Sequence, residues 1–205
     1  MNTELYDMLI DRLKVVGVSF DPGLSDEEVL HVEEACAFRF PPDLRGLLQR
    51  GVPGRSTRRA SGGDRSQARD FPNWRKRPEE IMARSKKHLW DGIRAGVLDS
   101  YRPDHKAAVY WPVAWGERPA KLAAAQSILN AKWQKAPLLI PIWGHRYLPA
   151  EPAEAGNPVF SIMDVDMVHY GHDLLDYFVR EFHIEPLMPK PDAPHSIPFW
   201  DDFLV

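Results

Sequence analysis

Cysteine is nearly absent from this chain: Cys36 is the single thiol among 205 residues. That excludes an internal disulfide framework and a zinc site built from several thiolates. Long apolar runs are missing too. Nothing approaches the roughly 18 consecutive apolar residues of a membrane span, so no membrane partner is expected. The opening stretch, MNTELYDMLIDRLKVVG, lacks a basic start followed by an apolar block. No signal peptide is therefore expected, and the chain reads as soluble and cytoplasmic. There is no GxSxG elbow and no helix-start cysteine beside a basic neighbour, which leaves nucleophilic catalysis without a motif. Gly62-Gly63 has neither a preceding strand nor a following Lys-Ser/Thr pair, so no phosphate-cradling loop and no cofactor are expected. No HExxH pattern and no internal repeat occur.

Hydrophobic residues make up 44% and charged residues 27%, ordinary globular usage for a chain long enough to bury one core without staples. The net charge of −3 conceals two opposite blocks. Residues 55–77 hold eight basic side chains against Asp64 and Asp70, a local +6. Residues 151–205 hold eleven carboxylates against Arg180 and Lys190, a local −9. The overall charge consequently names no ligand.

Hydrophobic spacing places the helices. Leu5, Met8, Leu9, Leu13 and Val16 follow a helical period that Gly17 stops. Ser25 and Glu28 form a capping-box signal, with Leu24 and Val29 spaced as a hydrophobic staple, ahead of a helix burying Val29, Val32 and Cys36. Pro42 suits the first turn of a third helix, which carries Leu44, Leu47 and Leu48 inward, and Gly51 suits a left-handed stop. Residues 54–70 are rich in Gly, Ser and Arg with almost no apolar member, and read as a mobile loop. Further helices are expected over 78–97, with Ile81, His88 or Leu89, and Ile93 inside, and over 119–134. An aromatic extended piece near 109–115 separates the two. Strands follow: one bent by Pro141 and Gly144 and returning at Tyr147–Leu148, then a region over 157–171. The last helix carries Leu174, Leu175, Phe178 and Phe182 in one stripe. The proline-rich tail, 186–205, cannot be a regular helix, yet Ile197, Phe199, Trp200 and Phe203 are costly to leave wet, so it should lie docked over the body. Helices first and strands second argue an α+β domain over 1–205 with a largely antiparallel sheet.

Several constellations could carry chemistry. His169-x-x-His172 could place two imidazoles near one metal, with His145 a strand away, although no third ligand is set by spacing. Asp164 and Asp166, two apart on a strand, should face one side, and paired carboxylates can divide acid and base roles. Asp173 falls where a carboxylate caps the last helix. The arginines of the loop could neutralise phosphates, but no aromatic platform is interleaved among them, which disfavours nucleic acid. Seven Trp, six Tyr and nine Phe are unusual riches, suited both to a core of large rings and to a recognition surface.

The runs GLSDEEVLHVEEACAFRFPPDLRGLLQRGVP, FPNWR, PLLIPIWGHRYLP, NPVFSIMDVDMVHYGHDLLDYF and IPFW together resemble the SUKH superfamily, the fold of the SMI/KNR-type cell-wall assembly regulators, in a bacterial branch. The resemblance spans most of residues 15–205 and leaves out the arginine loop, an insertion relative to a compact member. Asp164 and His169 stand where a neutral polar residue and an aromatic are expected. The resemblance implies an α+β domain whose curved, mainly antiparallel sheet is flanked by helices. It also implies a protein-binding module rather than an enzyme, either an immunity protein that neutralises a polymorphic toxin or a regulatory scaffold. The expected groove is lined by Trp143, His145, Arg146, Tyr147, Asp166, Tyr170 and Asp173, its carboxylates pairing with a basic partner. The alternative is a metal- or carboxylate-dependent hydrolase using His145, His169, His172, Asp166 and Asp173. A second alternative is nucleic-acid binding through the arginine loop.

Overall fold

The computed structural model describes residues 3–56, 70–102, 104 and 109–204. The arginine-rich loop therefore lies, apart from its ends, outside the described residues. Among those described the fold is α+β, with six α-helices and two small antiparallel sheets.

Helix α1 (Thr3–Val15) buries Tyr6, Leu9, Ile10 and Leu13, and the chain leaves it through Gly17 at φ 91°. Strand β1 (Val18–Pro22) follows. The capping box before α2 (Asp26–Cys36) is formed in full: Glu28 N–H donates to Ser25 Oγ at 3.1 Å, and Ser25 N–H donates to Glu28 Oε2 at 2.8 Å. Cys36 is half-buried at the end of this helix rather than inside the core. Helix α3 (Pro42–Arg50) begins on Pro42, whose missing N–H costs nothing there. Gly51 is not left-handed, contrary to expectation. Its φ of −173° is extended, and it opens strand β2 (Gly51–Ser56), which pairs antiparallel with β1.

Helix α4 (Pro78–Leu98) runs past both cores. Met82 enters the first, while Leu89, Ile93 and Val97, four apart, enter the second. Leu89 rather than His88 is the buried member of that pair. The aromatic piece expected to be extended instead closes in a single 3-10 turn, Val113–Trp115, behind Pro112. Helix α5 is Leu122–Trp133.

The main sheet takes β3 (Leu139–Trp143), β4 (Arg146–Pro149), β5 (Val159–Met163) and β6 (Asp166–Gly171) in the order β3-β4-β5-β6, each pair antiparallel. Successive side chains of a strand point to opposite faces, and here both faces are buried. Leu139, Tyr147 and Phe160 join one core, while Ile140, Leu148 and Val159 join the other. The sheet is thus the wall between a core built with α1, α2, α3 and α6 (Leu174–Phe182) and a core built with α4, α5 and the tail. Ile197, Phe199, Trp200 and Phe203 are all buried in the second core, and Leu204 bridges Met167 on edge strand β6. No helix among the described residues is long and apolar enough to cross a membrane.

Candidate functional site

Strands β3 and β4 are joined by a two-residue turn, Gly144-His145, in which Gly144 takes φ 58°. A left-handed residue lets so short a hairpin close, and glycine takes it without strain. The turn brings this hairpin against the N-terminal half of α4, and a cleft of about 520 Å³ lies between them. Its buried floor is formed by Ser85, Trp143 and His145. Pro72, Ile81, Pro141 and Tyr147 supply an apolar wall, and the exposed rim carries Lys76, Arg77, Arg84 and His88 against Asp70 and Glu80.

Two properties set this cleft apart. First, Ser85 Oγ, Trp143 Nε1 and His145 Nδ1 are all buried without a hydrogen-bond partner, three of the six such side-chain atoms among the described residues. Each is a group that ordinarily finds a partner when removed from water. Trp143 is only 2% exposed, its ring packed against Phe71 at 5.7 Å and Phe182 at 5.1 Å. Second, the rim charge does not cancel. Arg77 donates to Glu80 at 3.1 Å and Asp70 faces Arg55 at 3.9 Å, while Lys76 and Arg84 have no ion-pair partner among the described residues. Burial, helped by the Arg146 cation, pushes the His145 imidazole down to about 4, and burial pushes the Tyr147 phenol up to about 12. Both are neutral at neutral pH.

The seven residues expected to share one groove are divided. Trp143, His145 and Tyr147 line the cleft. Arg146 does not line the cleft and turns to α6, where its Nε donates to buried Glu181 at 2.8 Å, while its Nη1 donates to Ser161 at 2.8 Å. Tyr170 belongs to that arrangement, its ring 3.8 Å from the Arg146 guanidinium. Asp166 is exposed at the start of β6. Asp164 is not beside it on a strand face, because it is the first residue of the β5–β6 turn at φ 58°.

Asp173 caps α6, accepting from Asp176 N–H at 2.7 Å. It also edges a second groove, about 760 Å³, between α1, α6 and residues 186–190. That groove is lined by Leu5, Met8, Val179 and Leu187, and Asp176 beside it accepts from Arg180 and from His172 N–H.

The hydrolase set is not assembled. His169 Nε2 meets Asp201 at 3.1 Å, His172 Nδ1 meets the Pro191 carbonyl at 2.8 Å, and His145 lies in the cleft. Among the described residues no three of His, Cys, Asp and Glu are grouped to hold a metal ion. Of the basic block, Arg58, Arg59, Arg65 and Arg69 lie outside the described residues, and Arg75 pairs with Glu28 at 2.6 Å.

Ser85, Ile81, Lys76 and Arg84 complete the cleft, and of these the sequence marked only Ile81, as a core residue, and Lys76, as part of a basic run. Three motif residues of the family resemblance serve the fold. Asp43 is a buried carboxylate that ties α3 to Gly156 N–H at 3.0 Å; burial raises its pKa against the pull of those donors. Gly144 makes the hairpin turn, and Gly171 lets α6 lie directly on β6.

No family model, no curated protein and no solved structure matches this chain.

Proposed function

We propose that this chain is a non-enzymatic protein-binding module of the SUKH kind, acting as an immunity protein or a regulatory scaffold, and that its partner enters the cleft between α4 and the β3–β4 hairpin. The observation that carries this reading is the cleft floor. Three buried residues with unpaired polar atoms, Ser85, Trp143 and His145, line it beneath a rim on which Lys76 and Arg84 make no ion pair among the described residues. A concave site of this size with a few convergent polar groups on apolar walls is the usual form of a binding site. Trp and Arg at its centre and rim are the side chains that dominate partner hot spots. The catalytic alternative has less support, because three of its five residues, His169, His172 and Asp173, hydrogen-bond to the tail or a helix end. The partner's charge follows from the rim. Asp166 and Asp173 lie away from the cleft, so the expectation of a basic partner gives way to an acidic one.

The test is a tagged pull-down from native lysate, at low and at moderate salt, with wild type and with Arg84→Glu. One stoichiometric protein, retained by wild type and lost by the variant, supports the reading. A partner held equally by both, or purified protein that carries stoichiometric metal and no partner, overturns it.

A further inference from the structure

We propose that the group this cleft receives is a carboxylate side chain on an acidic segment of the partner protein, with an apolar neighbour of that side chain packed against the wall. This rests on the cleft being the binding site. The floor decides the polarity. An indole N–H only donates, and a buried hydroxyl needs an acceptor for its proton, so Trp143 and Ser85 together require acceptor oxygens. A carboxylate is acceptor-only and offers two oxygens. His145, neutral in this setting, has one free nitrogen whose role the tautomer adjusts.

The rim decides the charge. Lys76 and Arg84 form no ion pair among the described residues, the cleft lining holds three basic side chains, Lys76, Arg77 and Arg84, against Asp70 and Glu80, and the planar guanidinium fork of Arg84 matches a carboxylate in two places. The wall decides the size. Pro72, Ile81, Pro141 and Tyr147 present apolar surface that an inorganic anion would leave wet, and about 520 Å³ is too roomy for a bare ion. A segment with an acidic residue flanked by aliphatic ones fills floor, rim and wall together. The floor atoms are closed to solvent in the unbound chain, so direct contact with them requires the hairpin and α4 to part around the segment.

The experiment follows the indole N–H signals of the full chain labelled with nitrogen-15; Trp143 is assigned by its loss in Trp143→Phe, and the six other indoles report on the fold. The probes are acetyl-Leu-Glu-Leu-amide, its Gln counterpart and inorganic phosphate. The expected result is a saturable shift of the Trp143 signal with the Glu peptide, about tenfold weaker binding with the Gln peptide, and a similar loss in Arg84→Ala with the other six signals unmoved. Equal binding of the Glu and Gln peptides overturns the carboxylate while leaving the cleft as a peptide site. A phosphate shift as large as that of the Glu peptide overturns the acidic segment in favour of a general anion site. No shift of Trp143 with any probe overturns the proposal. The pull-down then decides separately whether the module reading falls with it.

Discussion

His145 is the side chain whose titration the fold restrains most clearly. An unfolded histidine takes up its proton near pH 6.5, and the folded one only near 4. Between those values the unfolded state holds more protons, so stability falls as the pH falls through that window and is fully retained above it. Burial holds His169 down as well, against the pull of Asp201, and adds to the same slope. For His145 the loss reaches about 3 kcal/mol by pH 4 and completes below it. Urea unfolding at about pH 7 and about pH 4.5 measures it. The expected outcome is a much smaller pH dependence in His145→Leu; a slope equal to wild type would show that the imidazole is freely solvated. The Arg146–Glu181 pair makes a different prediction. Both side chains are almost wholly buried, at 2% and 0% exposure, so removing one leaves the other charge buried without its counter-charge. Arg146→Met or Glu181→Leu alone should cost about 3–5 kcal/mol, and the double variant should recover most of that. A double-mutant cycle by chemical denaturation reads the coupling directly.

At the scale of elements, α6 shows how tightly neighbours are matched. A Cβ on Gly171 would stand 2.6 Å from Tyr177 N and 2.7 Å from its Cα, both backbone atoms that cannot swing aside. Gly171→Ala should therefore cost about 2 kcal/mol, seen as a lower denaturation midpoint with an unchanged slope. The helices were largely legible from the chain alone. The Ser25–Glu28 box, the Asp173 cap and the apolar stripe of α6 are local patterns, completed within one or two turns. The β1–β2 ladder was not legible. Its strands, VSFDP and GVPGRS, lack clean alternation and pair only because α2 and α3 fold back between them. The conformation of Gly51 is hidden as well, since an extended glycine and a left-handed one look alike in sequence. Asp164 likewise reads as a strand residue until the hairpin register places it in the turn.

Across the whole molecule, the sheet separates two cores, and the tail is structural for one of them. Phe199 meets Trp200 at 4.9 Å, Phe203 at 5.3 Å and Trp133 at 5.8 Å, so the last residues complete a ring cluster with α5. Ending the chain after His195 would expose Leu129, Ile162 and Met167 along with the loss of those rings. The expected outcome is loss of the cooperative thermal transition in near-ultraviolet circular dichroism, because removing even one buried aromatic costs about 3–5 kcal/mol against a total stability of about 5–15. A truncated chain that melts as wild type would mean that the second core closes without its tail.

The sequence by itself determined the α+β class, the capped helices, the apolar stripes and the aromatic residues that close the second core, because each is written in local spacing or in the cost of leaving a ring in water. Which side chains share a site was decided only by the tertiary structure. Arg146 and Tyr147 are neighbours in the chain, yet strand alternation sends one to the pair with Glu181 and the other to the cleft wall. Ser85 and Arg84 come from a helix some sixty residues earlier, and only the packing of α4 against β3 sets them beside Trp143 and His145. Periodicity reports which face a residue occupies, and packing alone reports what lies across from it.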